Sequence, residues 1–289
     1  MCIHCGSLSS CESLTYMSFN GIVKRAKEND GTLRGIRSDQ THFNWKAAQI
    51  IAEAMTYNKY VTCLRLGNNI CNGGAEELAR MLEHNTTLKV LDLSGNSSIL
   101  AGGVTFLATA LKKNTTLTTL ILSESNVKQK ACVALSSMLA VNKTLTTLDV
   151  SRNNIGDRGV KALLEFIRKS NHSLTTLSIA NNIITSAGAN VLAETVRDNT
   201  TLTSIDVSNN NFDVLNITLM NALESNYSLT TFKTNIVSSK ISDILCNNKD
   251  RKYKKLYITL MLLFSEYQSF VPWLVVKRIV DNVLRMPNF

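Results

Sequence analysis

The sequence predicts a repeat solenoid of the α/β class, in which short strands alternate with helices along the chain. Three observations carry that expectation. A template LxxLxLxxN recurs with starts at 61, 88, 117, 145, 174, 202 and 229, separated by 27, 29, 28, 29, 28 and 27 residues. Within each copy, LxLxx alternates apolar and polar residues, as a half-buried strand does. The remainder of each copy places apolar residues in steps of four, which lays one apolar stripe along a helix. A fixed period of about 20 to 50 residues marks units that bury a core only by stacking on their neighbours.

Taken in order, the copies begin weakly. Leu14, Met17 and Phe19 suggest a degenerate strand, and a poor copy follows at Leu33 and Ile36 with Phe43, Ala47 and Ile51 behind it. "VTCLRLGNN" from Val61, "LKVLDLSGN" from Leu88, "LTTLDVSRN" from Leu145, "LTTLSIANN" from Leu174 and "LTSIDVSNN" from Leu202 fit the template; "LTTLILSES" from Leu117 fits except at its last residue. The helical stripes read Gly74, Leu78, Leu82; Gly103, Leu107, Leu111; Gly159, Leu163, Ile167; and Gly188, Leu192, Val196. The small residue opening each stripe lets the first turn sit close to the strand layer, with Ala47 and Ala131 replacing glycine in two copies. The expected organisation is a partly irregular N-terminal cap over 1–32, an array of about eight repeats of 27–29 residues over 33–245, and a helical C-terminal cap over 246–289.

Over about residues 33 to 245 this pattern resembles the ribonuclease-inhibitor-like class of leucine-rich repeats. That class is also seen in NOD-like receptors and in effectors of intracellular bacterial pathogens. The resemblance implies a horseshoe with parallel strands on the concave face and helices on the convex face. Elementary geometry agrees, because strands pack about 4.8 Å apart whereas helices are about 10 Å wide. Unequal layers must bend.

Two asparagine ladders follow the period. Asn58, Asn85, Asn114, Asn142, Asn171, Asn199 and Asn226 each lie three residues before a strand's first apolar residue, where a helix must stop. Asparagine tolerates the left-handed conformation that ends helices, so a helix-ending role is expected. Six of them also form Asn-x-Ser/Thr tripeptides, but Asn58 keeps the position in "NKY", which accepts no glycan. The tripeptides therefore read as repeat geometry, not N-glycosylation. The second ladder, Asn69, Asn96, Asn153, Asn182 and Asn210, is expected to bond backbone groups at the strand exit, and breaks at Ser125.

Composition narrows the class of function. The net charge of +9 on 289 residues is uneven: residues 1–60 carry 7 basic and 5 acidic groups, residues 61–236 carry 15 and 13, and residues 237–289 carry 9 and 4. A nearly neutral array is poor support for a nucleic-acid surface. The first residues lack a basic start and long apolar core, so no secretory signal is expected, and Leu256 to Phe264 is too short an apolar run to cross a bilayer. Seven cysteines, an odd number, suit reduced thiols and a cytosolic location. Cys2, His4, Cys5 and Cys11 lack a second ligand pair, so no metal is expected. No P-loop, HExxH, GxSxG or glycine-rich dinucleotide loop is present, and His4, His42, His84 and His172 are isolated in sequence. Neither catalysis nor a cofactor is expected.

The outward strand position between the second and third apolar residues carries Arg37, Arg65, Asp92, Ile121, Asp149, Ser178, Asp206 and Lys233, with Glu124 and Arg152 at strand exits. Thr119, Thr147, Thr176, Ser94, Ser123, Ser151, Ala180 and Ser208 flank them. Acids in every second repeat suggest a dock for basic groups of a partner protein, not a small molecule or nucleic acid. The chain is expected to be a monomer before binding. The resemblance implies a module that binds and modulates a partner, including inhibition by covering an enzyme's active site. The asparagine content (30 of 289) and the lack of an attached catalytic domain suit a bacterial effector, delivered outside the general secretory route, or an effector's regulator. The alternative is a membrane- or nucleic-acid-associated protein acting through the basic, apolar stretch 249–264 of its C-terminal helices.

Overall fold

A computed structural model describes residues 12–13, 19–38, 44–67, 70–212, 217–235 and 239–249. The described strands form one parallel sheet in chain order: β1 (Glu12–Ser13), β2 (Gly35–Ser38), β3 (Cys63–Leu66), β4 (Val90–Asp92), β5 (Thr119–Ile121), β6 (Thr147–Asp149), β7 (Thr176–Ser178), β8 (Ser204–Asp206) and β9 (Thr231–Lys233). Between them run α1 (Phe19–Lys27), α2 (Trp45–Met55), α3 (Asn72–His84), α4 (Ala101–Leu111), α5 (Gln129–Leu139), α6 (Gly156–Lys169), α7 (Ser186–Asp198) and α8 (Ile217–Ser225). Each helix packs on the next, so sheet and helices form two parallel layers. The expected α/β solenoid is the observed one.

The strand leucines fill the space between the layers. Leu64, Leu91, Leu120, Leu148, Leu177 and Ile205 stack in register, each fully buried. From the helices, Leu78, Leu107, Leu163 and Leu192 meet them. At about 25 cal/mol per Å² of apolar area, this continuous core dominates stability. The glycine that opens a stripe answers to its own loop as much as to the strand layer. A Cβ on Gly159 would lie 2.3 Å from Cγ2 of Ile155, the residue that leads into α6.

Nearer the start, the structure differs from the sequence reading. Phe19 opens α1 instead of extending a strand, because Ile22, Val23 and Ala26 recur at helical spacing and are all buried. The described strand is Glu12–Ser13, paired with β2. Ser38 occupies the sixth template position, where later copies carry Leu66, Leu93 and Leu122. It is 1% exposed, and its hydroxyl finds no partner among the described residues.

The first asparagine ladder stands where expected, for a different reason. Asn85 (φ −73°, ψ 126°) and Asn199 (φ −90°, ψ 132°) are extended, not left-handed. The side chain does the work. Asn142 Nδ2 donates to the carbonyls of Leu111 (2.6 Å) and Asn114 (3.1 Å) in the previous repeat. Its Oδ1 accepts from the N–H groups of Thr144 (2.9 Å) and Leu145 (2.7 Å) in its own. Asn58, Asn85, Asn114, Asn171, Asn199 and Asn226 repeat the arrangement toward Ala26, Met55, Leu82, Leu139, Ile167 and Val196. An orphan helix-end carbonyl and two turn amides are thereby satisfied inside the core. All seven residues are at most 7% exposed, so the glycan-type nitrogens are not presented to solvent by the folded chain.

At the far end, a helix over 239–249 covers the last repeat, with Ile241 buried and Asn248 Nδ2 donating to the Leu229 carbonyl (2.8 Å). The rest of the expected C-terminal cap, nearly all of the 249–264 stretch, and the Cys2–Cys11 cluster lie outside the described residues. Among the described residues, no helix is long and apolar enough to cross a membrane.

Candidate interaction surface

Strand register assembles the predicted row. Arg37 pairs with Arg65, Arg65 with Asp92, Asp92 with Ile121, Ile121 with Asp149, Asp149 with Ser178, Ser178 with Asp206, and Asp206 with Lys233. Eight residues scattered over the sequence thus become one ladder on the inner face of the sheet.

Its middle is more enclosed than the sequence suggests. Asp92 is 5% exposed, Ile121 2%, Asp149 9% and Ser178 6%, whereas Arg37, Arg65, Asp206 and Lys233 are half-buried. Rungs about 4.8 Å apart on the shorter side of the layer shade one another. The carboxylates also turn back onto their own chain. Asp92 accepts from Ser94 N–H (2.9 Å), Asp149 from Ser151 N–H (2.9 Å), and Asp206 from both the N–H (3.0 Å) and hydroxyl (2.6 Å) of Ser208. Such turns close the strand end locally. Asp92 has an ionic partner besides, Arg65 Nε at 3.3 Å. Beside the row, the half-buried side chains of Thr119, Thr147 and Thr176 form a second line.

The strand-exit corner borders this row. Here the second asparagine ladder bonds backbone as expected: Asn153 donates to the Leu122 carbonyl (2.7 Å) and accepts from the N–H groups of Ser125 (2.8 Å) and Val127 (3.0 Å). Asn96, Asn182 and Asn210 do likewise, while Asn69 lies outside the described residues. Ser125 supplies only the donor half, to the Leu93 carbonyl (2.8 Å).

Flanking this ladder, the backbone turns left-handed at one or two positions per copy. Before the ladder stand Gly95, Glu124, Arg152, Asn181 and Asn209; after it stand Asn126, Asn154 and Ile183. Glycine and asparagine suit that conformation. Glu124 (φ 54°), Arg152 (φ 57°) and above all β-branched Ile183 (φ 52°) do not. All three are exposed, with Ile183 at 51%, and Arg152 Nη1 meets Glu124 Oε1 at 2.7 Å. Sequence reasoning singled out Glu124 and Arg152 but missed Ile183, whose signal was an isoleucine where neighbouring copies carry asparagine.

Polar groups on the helical side serve the fold. Asn72 Oδ1 accepts from the N–H groups of Leu100 (3.0 Å) and Gly103 (2.9 Å), so one repeat caps the next helix. Asp157 does the same for α7, accepting from Thr185 N–H (2.8 Å), Thr185 Oγ1 (2.6 Å) and Gly188 N–H (3.0 Å). Burial opposes ionisation of Asp157, but these hydrogen bonds outweigh it and hold the carboxyl below the usual range. Burial pushes the Cys132 thiol up to about 12, which leaves it a core side chain and no nucleophile. Among the described residues, no cluster of three or more His, Cys, Asp or Glu is placed to hold a metal.

Comparison with curated protein sequences gives no match. The family described as "Leucine Rich repeat" matches residues 84–108, 141–164, 170–193 and 198–214. Solved structures that resemble this one include actin-binding site 2 of Leiomodin-1 (16% identity, TM-score 0.49, 54% of this chain and 95% of that one). They also include the Caenorhabditis elegans tropomodulin C-terminal domain (20% identity, TM-score 0.46, 55% and 98%). A third is a chain of the yeast Rad7 and Elc1 complex (16% identity, TM-score 0.45, 77% and 62%). On the family's matched segments and the nine-stranded parallel register, the chain is a leucine-rich-repeat solenoid.

Proposed function

We propose that the chain is a non-catalytic protein-binding module whose inner sheet face grips one partner protein. The observation that carries this reading is the continuous ladder from Arg37 to Lys233, bordered by the threonine line. Nine strands span roughly 38 Å, long enough to supply the roughly 800 Å² that one side of a standard interface buries. Solenoids offer such faces because each repeat adds one rung. The finer reading, that binding covers an enzyme's active site and that the chain serves as a bacterial effector or an effector's regulator, is supported by the repeat resemblance and asparagine content alone.

A photo-crosslinking amino acid tests the site of binding. Placed at Thr147 on the inner face, it is expected to capture a partner that the same probe at Lys161, exposed on α6, does not. Capture from Lys161 alone moves the interface to the helical side.

A further inference from the structure

Three aspartates share the inner row, and their surroundings differ. Asp92 has Arg65 at 3.3 Å. Asp206 is half-buried, with Lys233 as its register partner on the next strand. Asp149 has Ile121 on one side and Ser178 on the other. It is 9% exposed, and no cation among the described residues lies within ion-pair distance. Among the described residues, the one hydrogen bond to its carboxylate comes from the N–H of Ser151. A carboxylate so enclosed and uncompensated is costly to a fold, and nothing in the packing of β6 requires it. Asparagine would keep the turn to Ser151 without the charge.

The corner beside Asp149 tells the same story by different means. Glu124, Arg152 and Ile183 hold left-handed backbone in three consecutive repeats, at positions filled elsewhere by glycine or asparagine. Ile183 gains little packing in return, being half exposed, and exposed ion pairs such as Glu124–Arg152 stabilise little. Departures from local preference that return nothing to the fold mark places used for something else.

We propose that Asp149 receives a lysine or arginine side chain of a protein partner that lies across the strand-exit corner of repeats β5 to β7. Charge complementarity names the chemistry: a fixed carboxylate in a shaded site, lacking only its cation, selects a basic group. This inference rests on the protein-binding reading above and narrows it to one residue and one charge.

The test selects random-sequence displayed peptides on the immobilised full chain and keeps those that photo-crosslink from Thr147. Those peptides are expected to carry Lys or Arg, and to bind Asp149→Asn about tenfold or more weakly while binding Glu165→Gln, exposed on α6, within about threefold. Replacing the peptide's own basic residue with glutamine is expected to give the same loss on the unaltered chain, so the result does not depend on how well the variant folds. If inner-face peptides lack basic residues, or bind Asp149→Asn unchanged, the assignment of Asp149 is overturned while the inner-face reading stands. If no selected peptide crosslinks from Thr147, both fall.

Discussion

The two corners of each repeat, where helix returns to strand and where strand leaves for helix, are built from the same amino acid and put to different use. At the helix-end corner, all seven asparagines from Asn58 to Asn226 are buried and bond both to their own repeat and to the one before. No copy from β3 to β9 departs from the pattern, while Asp30 holds the position before β2. At the strand-exit corner, the ladder passes through Ser125, and the flanking left-handed positions hold a glutamate, an arginine and an isoleucine. One corner is closed on itself. The other tolerates strain and faces outward, which is why recognition is proposed there.

Breaking the closed corner is expected to have the largest effect. Asn142→Ala removes the hydrogen bonds to Leu111 and Asn114 and leaves the amides of Thr144 and Leu145 without their acceptor. A loss of about 3 kcal/mol or more is expected in urea unfolding monitored by circular dichroism. A loss below about 1 kcal/mol would show that water replaces the side chain freely. The strand-exit ladder is expected to be more forgiving, because Ser125 already stands in it. Asn153→Ser keeps a donor but abandons the amides of Ser125 and Val127, and is expected to cost about 1 to 2 kcal/mol in the same assay.

Relieving strain sharpens the contrast. Ile183→Asn is expected to stabilise the chain by about 1 kcal/mol, since asparagine accepts the left-handed backbone and little packing is lost. The same substitution is expected to weaken partner binding, so stability and affinity move in opposite directions. Gains in both would remove Ile183 from the interface.

The smallest effect concerns Asp157, which caps α7 as Asn72 caps α4. Burial raises its carboxyl but the Thr185 and Gly188 hydrogen bonds hold it below the usual carboxylate range, so its contribution is present above that range and is lost as pH falls through the lowered one. Asp157→Asn is expected to change stability by about 0.5 kcal/mol or less at neutral pH, by analogy with ordinary cap exchanges. Chemical denaturation between about pH 5 and 2 is expected to show the wild type losing its margin over the variant.

Much of this was legible in the sequence because repetition averages out local ambiguity. One copy of LxLxx is a poor strand signal, but seven in register place β3 to β9 and the inner row from Arg65 to Lys233. The first repeat was not legible, since Phe19 fits both a strand's alternation and the helical spacing of Ile22, Val23 and Ala26. The asparagine ladders were visible as positions, while their mechanism depends on carbonyls one repeat away, which no local rule shows. Burial of the row was hidden for a related reason. Whether Asp92 and Asp149 are open depends on the rungs beside them, and only register reveals that Arg65 neutralises one and Ile121 leaves the other uncompensated.

Amide hydrogen exchange on the full chain, alone and bound to the partner captured from Thr147, tests the division of labour most directly. Added protection is expected along 121–126, 149–154 and 178–183, with none at the turns that follow Asn114, Asn142 and Asn171. Protection confined to those turns, or to the outer faces of α3 to α7, would contradict the account.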